Sequence, residues 1–161
     1  MWTAHAGMVV FLVGALGNGL FQTEVIVRAF PGDSVDVAGK TMTLRAVEPR
    51  QGPNYVTETA IIELRDGTDI IAFLTPEKRF YNAERQTTTE AAIRPRPGGD
   101  DYAVLGDGDA TSGYTLRLYR KPFVSWIWAG AGFMAVGGAI AALGRRQRRA
   151  AAVATRVRTV T

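Results

Sequence analysis

Apolar residues in this chain form two continuous runs near its ends, with an alternating pattern between them. Positions 123–143 pass twenty-one residues without a charge. At about 1.5 Å per residue that is enough to cross a hydrocarbon core of roughly 30 Å. Positions 1–21 carry no ionisable side chain apart from His5, and their centre reads Met8-Val9-Val10-Phe11-Leu12-Val13-Gly14-Ala15-Leu16. Both runs are expected to be transmembrane helices. A cleaved leader would need a basic stretch before the first run and a small-x-small exit after it. No Lys or Arg precedes Arg28, and the exit reads Gly17-Asn18-Gly19-Leu20-Phe21-Gln22, so a retained helix is the expectation.

Between the runs, apolar and polar residues alternate as in half-buried strands. Strands are expected at 24–30, 34–37, 40–47, 55–64, 69–74, 87–93, 102–105 and 113–119. Turn chemistry separates them at Pro31-Gly32-Asp33, Ala38-Gly39, Gln51-Gly52-Pro53-Asn54, Asp66-Gly67, Pro97-Gly98-Gly99-Asp100 and Gly106-Asp107-Gly108-Asp109. The fold class expected is a membrane protein in which two transmembrane α-helices flank an all-β extracytoplasmic domain. Closure would remove exposed edges, which puts a small antiparallel OB-like barrel first and a two-sheet sandwich second. The alternation does not separate the two. The domain plan is a helix over 1–21, a β-domain over 22–122, a helix over 123–143 and a basic tail over 144–161.

Small residues form stripes on both helices, Gly7, Gly14 and Gly17 on the first and Ala131, Ala135 and Ala139 on the second. Such stripes let helices approach closely in lipid. Trp126 and Trp128 are expected at headgroup level.

Charge sets the orientation. The tail carries Arg145, Arg146, Arg148, Arg149, Arg156 and Arg158 and no acid, while the middle segment holds all 15 acids and 13 of the 19 basic residues. Arginines directly after a membrane helix stay in the cytoplasm, so the middle domain is expected outside, with the N-terminus and the C-terminus on the cytoplasmic side. The position of the basic cluster favours this topological role over nucleic-acid binding.

Candidate chemistry is sparse. The chain has no cysteine, so the outer domain folds without disulfides and the chain carries no C-x-x-C-H haem attachment site of its own. His5 is the one histidine, about one turn from the cytoplasmic end of its helix. An ionisable or metal-ligating side chain in a membrane span is a functional-site candidate by default. Its helix face continues through Met8, Val9, Leu12 and Leu16, an apolar wall that could lie against a porphyrin. A neutral histidine hydrogen-bonded at a helix interface fits the same residues. Ser-His-Asp, Cys-His and phosphate-loop arrangements do not occur, and no catalytic residue is assigned. The run Pro76-Glu77-Lys78-Arg79-Phe80-Tyr81 is expected on an exposed loop or strand end and alone reads as a solvated loop, with recognition as the alternative.

Four segments, in order, carry a resemblance. They are Ala4-His5-Ala6-Gly7 opening an apolar helix, Gly52-Pro53-Asn54-Tyr55, the 76–81 run followed by Thr87-Thr88-Thr89-Glu90-Ala91-Ala92-Ile93, and Lys121-Pro122-Phe123-Val124-Ser125-Trp126-Ile127-Trp128. Together they resemble the C-terminal region of the CcmF/NrfE family of cytochrome c maturation proteins, the haem lyase subunits. The resemblance implies an inner-membrane complex that attaches haem covalently to apocytochrome c, with the haem chaperone CcmE and a CcmH-type subunit as partners. It also implies that His5 is one of two transmembrane histidines that hold a haem b through its iron.

The family's tryptophan-rich haem-handling segment, its two extracytoplasmic haem-binding histidines and the second haem b ligand have no counterpart here. Tyr114 stands where the family leads one to expect a tryptophan. The chain is therefore expected to be a C-terminal fragment or one half of a split lyase, completed by a missing N-terminal part and not catalytic alone. The alternative is a non-catalytic, membrane-tethered β-domain that serves as a structural or interaction module of an envelope complex.

Overall fold

The computed structural model describes residues 2–158, with side chains described over 2–144. The chain divides into two compact units, one holding both helices and the other spanning Leu20–Pro122.

The helical unit consists of α1 (Trp2–Phe21) and α2 (Val124–Arg158). Neither contains a proline, and stretches of 20 and 21 residues, Trp2–Phe21 and Val124–Gly144, are long and apolar enough to cross a membrane. The arginine-rich segment expected as a tail continues α2 as far as Arg158, while the side chains of Arg145, Arg146, Arg148, Arg149, Arg156 and Arg158 lie outside the described residues.

The helices run antiparallel and touch through glycine. Gly7, Gly14 and Gly17 are the buried residues of α1. A Cβ at Gly7 would lie 2.6 Å from the Met134 backbone nitrogen and 2.8 Å from the Gly130 carbonyl oxygen. Gly14 meets Ile127, Gly17 meets the Phe123 ring, and Gly137 meets Ala4. The glycine stripe on the first helix is thus the seam. The alanine stripe on the second is not, because Ala135 and Ala139 are exposed while Gly130 and Gly137 are buried. Steps of four residues drift around a helix of 3.6 residues per turn, whereas the seven-residue step from 130 to 137 stays near one line.

The β unit contains β1 (Thr23–Ala29), β2 (Ser34–Val37), β3 (Lys40–Gln51), β4 (Tyr55–Asp66), β5 (Asp69–Leu74), β6 (Glu77–Tyr81), β7 (Gln86–Glu90), β8 (Ala92–Arg94), β9 (Asp100–Asp109) and β10 (Gly113–Lys121). One sheet has the order β1-β10-β9-β8, the other β2-β3-β4-β6-β7 with β5 also paired to β4. No hydrogen-bonded ladder joins the two sheets among the described residues, so of the two architectures left open by the alternation the two-sheet sandwich is the one formed. Met42, Leu44, Ile62, Leu64, Leu105, Leu116 and Leu118 fill the space between the sheets, each at most 2% exposed. Inward Val25 and Val27 alternate with outward Glu24, Ile26 and Arg28 along β1, the period-two pattern read from sequence.

Local chemistry explains the joints. Val37 pairs with Lys40 across the two-residue loop Ala38-Gly39, whose φ angles of 49° and 79° are those of a type I′ hairpin turn. β5 and β6 lie along opposite halves of β4, with Leu74 opposite Ile62 and Glu77 opposite Thr59. Between them Pro76, which has no N–H to give, is buried and accepts the Ala60 N–H at 3.0 Å. The segment Glu77–Tyr81, expected as a loop, is therefore a strand. β3 runs on through Pro49 because it pairs with β2 only over Lys40 to Thr43, leaving proline on an open edge. The strand expected over 87–93 is split between the two sheets as β7 and β8. The glycine turn expected at 97–100 forms just before β9, whereas β9 continues through the one expected at 106–109.

A charged cluster links the sheets. The Asp101 side chain, on β9, is 1% exposed and accepts Lys40 Nζ of β3 at 2.7 Å and Arg120 Nη1 of β10 at 2.9 Å, with Arg94 Nη1 at 3.7 Å. Arg120 also donates to the Gly98 and Gly99 carbonyls at 2.6 Å each, which fixes the loop before β9.

Candidate functional site: a helix-borne histidine and a motif-bearing sheet end

His5 lies near the start of α1, on the exposed side away from the buried glycines Gly7, Gly14 and Gly17. Its side chain is exposed, as are Met8 (55%), Val9 (60%), Leu12 (50%) and Leu16 (65%) along the same direction. A helix turns 100° per residue, so positions 5, 8, 9, 12 and 16 share one face, and the glycines that bind α2 take the other. Beside His5 is a recess of about 250 Å³ lined by Ala4, His5, Met8 and Met134. It can take a side chain or the edge of a flat ligand, since most small-molecule sites begin at about 300 Å³. Among the described residues, no group of three or more His, Cys, Asp or Glu side chains gathers that could hold a metal ion. What the arrangement offers chemically is a single imidazole at the head of an apolar strip.

The second place where sequence motifs converge is the end of the sandwich at which β3 turns into β4. Gly52 N–H donates to the Tyr55 carbonyl at 2.9 Å, and the Tyr55 ring lies so close over Gly52 that a Cβ there would be 2.4 Å from it. The rings of Tyr55 and Tyr81 stand 5.3 Å apart, and the Arg79 guanidinium sits 4.7 Å from the centre of the Tyr55 ring. Arg79 Nε donates to Glu77 at 2.8 Å, and Glu90 is 3.9 Å from its Nη1. The Glu77 hydrogen bond first, and the one with Tyr81 next, raise the arginine's pKa, so its charge is permanent. Parts of three of the four segments quoted above, Tyr55, Glu77–Tyr81 and Thr87–Glu90, thus lie on neighbouring strands β4, β6 and β7, while Ala92 and Ile93 belong to β8 of the other sheet. The charges of the 76–81 run are partnered rather than left to solvent, Glu77 and Arg79 with each other and Lys78 with Asp107 of β9 in the other sheet.

Sequence reasoning missed two groups. Asp101 falls between the turn expected at 97–100 and the strand expected at 102–105, and its parity with Ala103 and Leu105 puts it on the inward face. Glu58 alternates with Thr57 and Thr59 on β4, and only the lateral strand order shows that its carboxylate faces a groove.

The comparisons with known proteins agree over most of the chain. The family profile described as the CcmF C-terminal beta-sandwich matches residues 20–122, which is the β unit. The cytochrome c-type biogenesis protein ccl1 of Rhodobacter capsulatus is 46% identical over 150 residues, covering 92% of this chain and 23% of that protein. CcmF of Pseudomonas aeruginosa is 38% identical over 159 residues, 98% of this chain and 24% of its own. CcmF of Escherichia coli is 40% identical over 150 residues, 92% and 23% respectively. The chain thus spans about a quarter of the length of these relatives. A solved structure described as cytochrome c heme lyase CcmF shares the fold, with a TM-score of 0.64, 17% identity and coverage of 84% of this chain and 23% of that one. Two apolar helices around a two-sheet β unit, the profile match across that unit and relatives aligned through both helices lead to one assignment: the chain belongs to the CcmF C-terminal beta-sandwich family.

Proposed function

We propose that the chain acts as the C-terminal part of a bacterial inner-membrane haem lyase subunit, in which His5 supplies one axial ligand to a haem b and the β unit serves as a periplasmic docking element. The observation that carries the ligand reading is the direction of His5. It stands on the exposed face of α1 with Met8, Leu12 and Leu16, while the opposite face is used up by the glycine seam with α2. An exposed imidazole on that face can be reached by a group or a helix from outside these residues.

The fit to a haem is chemical. Imidazole is a common iron ligand, and methionine, valine and leucine give the low-polarity surface a macrocycle needs. The chain has one histidine, so a bis-histidine site takes its second ligand from elsewhere in a larger assembly. When bound, haem supplies a one-electron iron couple whose potential the axial ligands set. The chain's own contribution is to hold His5 at a fixed height on α1, with Met8 and Met134 as the apolar walls of the recess beside it. Apocytochrome c, the chaperone CcmE and a CcmH-type subunit are the partners this reading implies, and the chain is not catalytic by itself.

The test is to produce the chain together with the upstream part of a lyase and record haem absorption for wild type and for His5→Ala. Loss of the haem b signal, with equal protein in the membrane, is expected. Unchanged haem content would remove His5 from the site.

A further inference from the structure

The inward face of the six-stranded sheet continues past the core of the sandwich. Val56, Glu58, Lys78, Phe80, Thr87 and Pro49 line an open groove of about 590 Å³ there. The cross-strand register explains why these residues share a face. Val56 pairs with Phe80 and Glu58 with Lys78 across β4 and β6, Pro49 sits opposite Glu58 on β3, and Thr87 sits opposite Phe80 on β7. By alternation this is the face that carries Ala60, Ile62 and Leu64 into the core. Val56 is 44% and Phe80 39% exposed, so two large apolar side chains stand at the open end of a core with no chain above them among the described residues.

The charges of the groove are unequal in their partners. Lys78 is held by Asp107 of β9, and Arg50 by Glu48 at 3.1 Å. Among the described residues Glu58 makes no ion pair, although it lies in register with Lys78. Of the charged side chains that line the groove, Arg50 and Lys78 have their counter-ions in Glu48 and Asp107, which lie outside the lining, and Glu58 has none among the described residues.

From this we infer that the groove docks an extended polypeptide segment from outside these 161 residues, through a lysine or arginine whose aliphatic stem lies on Val56, Phe80 and Pro49 and whose cationic head meets Glu58. Long cationic side chains suit a site that is apolar along its wall and acidic at one point. The groove is open along one side, so a small molecule would keep much of its surface in water, whereas a peptide is anchored by its flanking residues as well. The inference deepens the docking role proposed for the β unit and rests on it, and it is independent of His5.

The test uses the full chain in detergent micelles and two capped fluorescent peptides, Val-Thr-Lys-Val-Thr and Val-Thr-Glu-Val-Thr, with binding read by anisotropy. The lysine peptide is expected to bind roughly tenfold tighter than the glutamate peptide, the size of one charge-assisted hydrogen bond. Glu58→Gln, which keeps shape and strand pairing, is expected to abolish that preference, and Phe80→Ala to weaken both peptides alike. Thermal unfolding of each variant matched to wild type keeps misfolding from imitating the result. No preference for lysine, or a preference that survives Glu58→Gln, would overturn the inference. A photo-cross-linker at Gln51, on the groove lip, separates it from the reading beneath it. In the assembled membrane complex, absence of any cross-link to polypeptide would bring down the docking role as well. Cross-links without a lysine preference would bring down the basic-segment assignment alone.

Discussion

Replacing Asp101 by asparagine is the most direct probe of how the two sheets are held together. Its carboxylate is 1% exposed and takes Lys40 at 2.7 Å and Arg120 at 2.9 Å, with Arg94 at 3.7 Å. Asparagine keeps the volume but removes the one charge on which three cations converge, and its amide aims donors at donors. Removing one member of a buried ion pair typically costs about 3–5 kcal/mol, because the partner stays in place without compensation. Arg94 and Arg120 are 25% and 19% exposed, so water relieves part of their burden and the lower end, about 3 kcal/mol, is the expected loss. For a domain of this size that lowers the unfolding midpoint by roughly 12–24 °C.

Lys40→Met provides the control. It deletes only one partner, and Asp101 keeps Arg120 and Arg94, so a loss of about 1–2 kcal/mol is expected. The assay is thermal unfolding of the strand signal in far-ultraviolet circular dichroism, with the full chain in micelles and the double variant closing the cycle. If Asp101→Asn were no worse than Lys40→Met, or cost less than about 1 kcal/mol, the claim that this carboxylate joins the sheets would be wrong.

Three further outcomes are expected. Gly7→Leu should part the helices, since even a Cβ there would meet backbone atoms at 2.6 and 2.8 Å. With Ala4→Cys and Met134→Cys in this cysteine-free chain, oxidative cross-linking should fall severalfold when Gly7→Leu is added, and unchanged cross-linking would contradict the seam. Asp109 accepts the Thr111 hydroxyl and the Ser112 and Thr111 amides at 2.6–2.8 Å, and Glu63 is held by Arg65 and then Arg45, so both carboxyls titrate below their ordinary values. Such groups stabilise the fold above the unfolded-chain pKa of about 4, and the contribution drains away as pH falls through the lower folded values. Unfolding midpoints should drop from about pH 5 downward, and Asp109→Asn should flatten part of that slope; parallel curves would exclude Asp109 as a source. Gly52→Ala should displace the Tyr55 ring, costing about 1 kcal/mol because a side chain rather than backbone must yield. A shift in tyrosine fluorescence reports it, and an unchanged spectrum together with an unchanged midpoint would show the contact to be slack.

What the amino-acid sequence determined by itself were the properties set by local pattern. Uncharged runs fixed both helices, because lipid demands about twenty apolar residues whatever packs beside them. Alternation fixed most strands and the inward parity of residues such as Leu116 and Leu118. Ala38-Gly39 announced its hairpin, because backbone geometry at positive φ depends on those two residues. His5 was legible as a candidate because it is the one ionisable side chain in its span.

Only the tertiary structure decided which elements meet. Strands in a barrel and in a sandwich alternate alike, and lateral strand order separates them. The 76–81 run reads as a loop from its density of charge and aromatics, and the partner that ties its Lys78 across to the other sheet, Asp107, sits on a strand remote in sequence. The helix seam on Gly130 and Gly137 rather than on the alanines, the three cations around Asp101 and the unmatched carboxylate of Glu58 all come from contacts between elements. Sequence periodicity assigns a residue to a face, and the neighbour on that face is chosen by the packing of the whole chain.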